Sequence, residues 1–133
     1  MPNLETIKRI AARAGQTAAG ISCAMSIAIV DEGANIVYLE RMDDATIGSV
    51  EAARLKARSA VMFKRPTKVF EDMLAAGRTA ILSLPGVMPI EGGVPLLVDG
   101  KVAGGIGVSG GTAQQDGIVA NATAEFWNEI LGG

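Results

Sequence analysis

The 133-residue chain contains no histidine. That absence excludes histidine general bases, Ser-His-Asp triads, metal sites built on imidazole and haem ligation by imidazole. Cysteine occurs once, at Cys23, so no internal disulfide can form and the expected compartment is the reducing cytoplasm. Aromatic residues are only 4% of the chain while apolar residues are 49%, and mean hydropathy is +0.33. The core must therefore be made of small aliphatic side chains that let elements approach closely. An apolar content beyond the needs of one core points to a homo-oligomer. Neither sign of charge dominates: 12 basic residues stand against 14 acidic ones, without a basic cluster. A nucleic-acid partner is not expected, because phosphate binding needs concentrated positive charge. No apolar run approaches the ~18–20 residues of a membrane span, so no membrane partner is expected. The opening Met-Pro-Asn-Leu-Glu has neither the basic nor the apolar region of an export signal.

What remains is the content of one domain, residues 1–133. Asn3 can cap a first helix with Leu4, Ile7, Ile10, Ala11, Ala14 and Ala18 on one face, ending at Gly20. From Cys23 to Val30, Met25, Ile27 and Ile29 alternate with Ala24, Ser26 and Ala28, the pattern of a central strand covered on both sides. Asp31 to Asn35 is a turn, and Ile36 to Met42 returns as a strand. A second helix is expected over Ile47–Lys64, broken by Pro66, with Thr67 capping a short third helix to Gly77. Residues 78–93 hold Pro85 and Pro89 and read as a functional loop with room for one short strand. Asp99-Gly100 joins strands over 94–98 and 102–108. Thr112 and Gln115 form a capping box for a last helix whose inward face is expected to be Ile118, Val119, Ala122, Phe126 and Ile130. The order implies an α+β fold, an antiparallel sheet with helices packed on its faces.

Residues 104–111, GGIGVSGG, hold five glycines in eight positions and contain G-x-G-x-x-G. A dinucleotide-binding turn would need a second strand carrying a ribose-binding acid, and only one amphipathic helix follows. Two readings remain. Gly104, Gly105 and Gly107 let a helix approach the sheet, and Ser109, Gly110, Gly111 and Thr112 either make the bend or offer N–H groups to a carboxylate or phosphate.

Glu91, in Pro89-Ile-Glu-Gly-Gly-Val-Pro95, is the candidate proton-transfer group, with Gly92 and Gly93 as ligand contacts; the alternative is a solvated loop acid. Arg54, Lys56 and Arg58 either form a solvated face, with Glu51 pairing Arg54, or present Lys56 to an anionic ligand as a second catalytic group. Asp43 and Asp44 are adjacent acids at a strand end, and no metal site is assigned. Cys23 reads as a buried, inert thiol.

The segments AIVDEGANIVYLERMDDA, KARSA followed by FKRPT, and EGGVPLLVDGKVAGGIGVSGGTAQQD resemble the GlcG/HbpS-like family, the haem-degrading-domain family that includes the C-terminal domain of PduO-type proteins. The likeness runs from the first helix to the last. It implies a profilin-like sandwich with a five-stranded antiparallel sheet, homo-oligomers, and a link to haem or corrinoid binding or to small-molecule catabolism. The family pattern falls on Asp31, Gly33, Arg41, Met42 and Asp43, on Lys56 and Ala57, and on Pro66 and Thr67. It continues through Gly92, Gly93, Pro95, Leu96, Gly105, Gly107, Ser109, Gly110, Gly111 and Asp116. The resemblance implies haem, yet the chain has no imidazole to ligate it, so the cofactor stays open. The expectation is a small-ligand-binding protein with an anion pocket at the last helix N-terminus and a carboxylate ligand. The alternative is a cofactor-independent isomerase, lyase or hydrolase in which Glu91 moves a proton.

Overall fold

Asn3 does cap the first helix, α1 (Leu4–Gly20), its side chain accepting from the Thr6 N–H at 3.0 Å. The computed structural model describes residues 1–132. After α1 come β1 (Ser26–Asp31), β2 (Ile36–Arg41), α2 (Gly48–Phe63), α3 (Thr67–Ala75), a 3₁₀ turn (Thr79–Ser83), β3 (Gly93–Val98), β4 (Lys101–Ser109) and α4 (Ala113–Leu131). The strands form one antiparallel sheet in the order β2-β1-β4-β3.

The sheet thus has four strands among the described residues, not five. The segment that had room for another strand carries Pro85 and Pro89, which cannot donate to a ladder, and it takes up the 3₁₀ turn instead. Pro95 lies in β3, where an edge strand tolerates it. The first strand begins at Ser26, and half-buried Cys23 stands before it, its thiol 3.6 Å from the Ile21 carbonyl oxygen.

The two faces of β1 differ as its alternation implies. Ile27 and Ile29 share a core with Ile7, Ile10 and Ala14 of α1, Ile106 and Val108 of β4, and Val119 and Trp127 of α4. Ala28 and Val30 meet Ala53, Ala57 and Val61 of α2. On β4 the same division puts glycine under α2. A Cβ on Gly107 would overlap the Ala53 carbonyl oxygen, and one on Gly105 would come within 2.8 Å of the Ala57 carbonyl. These strand glycines seat a helix backbone directly on the sheet.

α4 is rotated from its expected face. Asp116, Val119, Ala120, Thr123 and Trp127 are buried, whereas Ile118 is 48% exposed. Two polar attachments account for it: Asp116 reaches inward to Lys56, and the Trp127 indole N–H donates to the Leu97 carbonyl at 2.7 Å. Leu97 lies where the β3–β4 register shifts, so the indole partners a carbonyl at an irregularity in the ladder. Phe126 is only partly buried and lies under the Arg13 guanidinium, 3.9 Å from the ring centre.

Candidate functional site

The Glu91 loop is fixed from both sides. Contrary to the expectation that Thr67 caps α3, its side chain makes no cap bond and Pro66 holds the cap position. The buried Thr67 hydroxyl instead accepts from the Gly93 N–H at 2.9 Å. The Gly92 carbonyl accepts from the Val108 N–H at 2.9 Å, and Gly92 has φ +128°, a conformation that suits glycine. The Glu91 N–H donates to a Glu71 carboxylate oxygen at 3.2 Å. The Glu91 carboxyl then lies against Gly117 on α4, where any Cβ would overlap it.

Around that carboxyl is a cavity of about 220 Å³. Gly92, Gly93 and Gly117 contribute backbone to it, Pro66, Val69 and Val94 supply apolar wall, and its polar side chains are Lys68, Asp72, Glu91 and Asn121. Lys68 pairs with Asp72 at 3.1 Å, one helical turn on, and both are more than half exposed. The Asn121 amide donates to the Gly117 carbonyl at 2.8 Å, which orients its side chain. Among the described residues no donor reaches the Glu91 carboxylate, which stays open to solvent. Burial pushes the Glu91 acid above the ordinary carboxylate range; Lys68 opposes the shift, while Glu71, Asp72 and Asp116 add to it.

Lys56 is neither solvated nor in the cavity wall. It is 1% exposed, and its ammonium donates to Asp116 at 2.9 Å and to the Val108 carbonyl at 3.0 Å. The other Asp116 oxygen accepts from the Gly111 N–H at 2.9 Å. One carboxylate therefore ties α2, the end of β4 and the start of α4 together. Of the three basic residues on α2, Arg54 makes the expected exposed pair with Glu51.

The turn at Ser109–Thr112 lies outside the Glu91 cavity. Its helix N-terminus already carries protein groups: Gly111 N–H is bonded to Asp116, Thr112 N–H to Gln115, and Gln115 N–H to the Thr112 hydroxyl. Thus Glu91, Gly92 and Gly93 come together at one cavity, and Ser109, Gly110, Gly111 and Thr112 form a separate, self-capped turn. Lys68, Asp72 and Asn121 escaped the sequence reading. The available signal was Gly117 inside a helical pattern, which marks a close approach, with Asn121 one turn on.

A haem does not fit this cavity. Its volume is below the ~300–1,000 Å³ of sites for drug-sized molecules, and its polar side chains are an amine, two carboxyls and an amide. The Tyr38 hydroxyl, another oxygen donor, is bonded to Glu40 at 3.1 Å. Among the described residues no three Asp, Glu or Cys side chains group as a metal site, and no helix is long and apolar enough to cross a membrane.

Comparison with known proteins places these features in a family. The model for haem degrading protein HbpS-like matches residues 3–125. Protein GlcG of Escherichia coli K12 is 42% identical over 85 residues, covering 64% of this chain and 63% of GlcG, less than two thirds of that relative's length. The crystal structure of Klebsiella pneumoniae protein ORFY superposes with a TM-score of 0.88 at 27% identity, over 96% of this chain and 90% of that one. The PduOC–haem complex superposes with a TM-score of 0.83 at 27% identity, over 93% of each chain. On a family match spanning nearly all of α1 to α4, with the fold to go with it, the chain belongs to the GlcG/HbpS-like family.

Proposed function

We propose that this chain is a small-ligand-binding protein whose ligand occupies the Glu91 cavity, and that Glu91 exchanges a proton with it. The observation that carries this reading is an unpartnered carboxyl with a raised pKa in a cavity whose backbone is held by Thr67, Val108 and Glu71. A group so placed can also act as a general acid or base, so the reading extends to a cofactor-independent isomerase, lyase or hydrolase. Gly92 and Gly93 contact the ligand. Lys56 and the Ser109–Thr112 turn act by position, through Asp116. The carboxylate ligand expected at that turn would instead have to meet Lys68. The reading includes a cytoplasmic homo-oligomer serving small-molecule catabolism: Ile47 and Leu82 are 81% and 66% exposed, as a subunit contact would require.

A thermal-shift screen of two- to four-carbon acids, amines and glycols tests it. A ligand at 100 times its Kd adds about 2.7 kcal/mol to the stability of the folded state, a readily measured rise in Tm. The same ligand should lose its effect in Glu91→Gln, or bind without turnover if the chain is an enzyme. A second reading, haem binding at another surface, is favoured by the likeness to the PduOC–haem complex. A saturable one-to-one Soret shift with haemin supports it, and broad unsaturable absorption removes it.

A further inference from the structure

We propose that the ligand of the Glu91 cavity is a small organic ammonium ion, a molecule of a few heavy atoms bearing one positive charge. This rests on the reading of that cavity as the ligand site. The polar wall is dominated by acceptors. The Glu91 carboxylate receives no donor among the described residues, and Asp72 uses one oxygen on Lys68. One N–H of the Asn121 amide is engaged by Gly117, which leaves its second N–H as a donor and its carbonyl oxygen as an acceptor. An ammonium group presents three N–H donors and no acceptor, the complement of that wall. A carboxylate presents only acceptors and would meet Lys68 while facing two acids.

Charge points the same way. The cavity wall carries one cation, Lys68, against two acids, Asp72 and Glu91. Glu71 stands behind Glu91 on α3 and adds a third negative charge. From α4 the facing charge is Asp116, already balanced by Lys56 of α2. One monovalent cation offsets the net charge of Lys68, Asp72 and Glu91, and Glu71 leaves the surroundings still negative; an anion would deepen the imbalance. The acids also act on both titrating groups. Glu91 is raised first by burial, against Lys68, with Glu71, Asp72 and Asp116 adding to it. Lys68 is raised first by its hydrogen bond to Asp72 and then by Glu91 and Glu71. The volume of about 220 Å³ suits a small molecule.

The test is isothermal titration of the full chain with ethylammonium, acetate and ethylene glycol, each across the range in which Glu91 ionises. Ethylammonium should bind best and tighten with rising pH, by about tenfold for each unit over which Glu91 deprotonates. Glu91→Gln should abolish that pH dependence. Lys68→Gln, which removes the cavity's cation, should tighten ethylammonium, an effect that a merely structural role would not produce. If acetate binds more tightly, or ethylene glycol equally well, and Glu91→Gln abolishes that binding, the ammonium assignment falls while the site stands. If Glu91→Gln leaves every probe unaffected, or none binds, the cavity is not the ligand site and both readings fall.

Discussion

Lys56 is buried and Glu91 half-buried, and their surroundings treat them oppositely. Lys56 has a full partner in Asp116; Glu91 has none. Because burial raises the Glu91 pKa, the folded state holds its proton more firmly than the unfolded chain does. Its contribution to stability is therefore fully present below the unfolded value near 4.5 and is lost as pH rises through the raised folded value. Urea midpoints compared between wild type and Glu91→Gln should converge at low pH and diverge across that window, with the variant at least as stable at pH 7. A variant clearly less stable at pH 7 would mean that the carboxylate is stabilised by a partner. For Lys56–Asp116 the expectation reverses. Lys56→Met alone strands a buried carboxylate and should cost about 3–5 kcal/mol in urea unfolding. Adding Asp116→Asn, which keeps an acceptor for the Gly111 N–H, should restore about half of that loss or more. Purely additive losses would show that the pair is not coupled.

At the scale of elements, much was legible because the signals were periodic. The alternation of Ile27 and Ile29 with Ala28 on β1 foretold a strand between two layers, and the Thr112–Gln115 box foretold where α4 begins. The strand glycines read correctly as a packing device once G-x-G-x-x-G had no βαβ unit to serve. The misses came from tertiary contacts that local pattern does not encode. Trp127 turns inward because the Leu97 carbonyl is there to receive it, and Thr67 turns from its own helix to Gly93. The cavity wall was hidden for the same reason, since Lys68 and Asp72 look like an ordinary exposed pair on α3. The glycine reading is tested by two substitutions of opposite sign. Gly107→Ala drives a methyl into the α2 backbone and should destabilise by about 1–3 kcal/mol or more. Gly15→Ala, in α1 with open space around it, should stabilise by about 0.5–1 kcal/mol. Equal effects at the two sites in denaturant unfolding would contradict close seating of α2.

For the molecule as a whole, the layered fold leaves a cavity where three elements meet without filling the space between them. The α3 start, the loop before β3 and the first turns of α4 converge there, and the lack of a Cβ at Gly117 leaves room for the Glu91 carboxyl. α1 and α4 pack on one face of the sheet and α2 on the other, while the edge strand β2 leaves Ile36 and Leu39 exposed. This is why ligand binding is assigned to the Glu91 cavity and not to the glycine-rich turn that dominates the sequence. The most direct measurement is two-dimensional amide NMR of the full chain titrated with ethylammonium, glycolate and haemin. The account predicts saturable shifts for a small probe, concentrated at the N–H groups of Glu91, Gly92, Gly93, Gly117 and Asn121. Shifts confined to Ser109–Thr112, or produced by haemin alone at a distant surface, would contradict it.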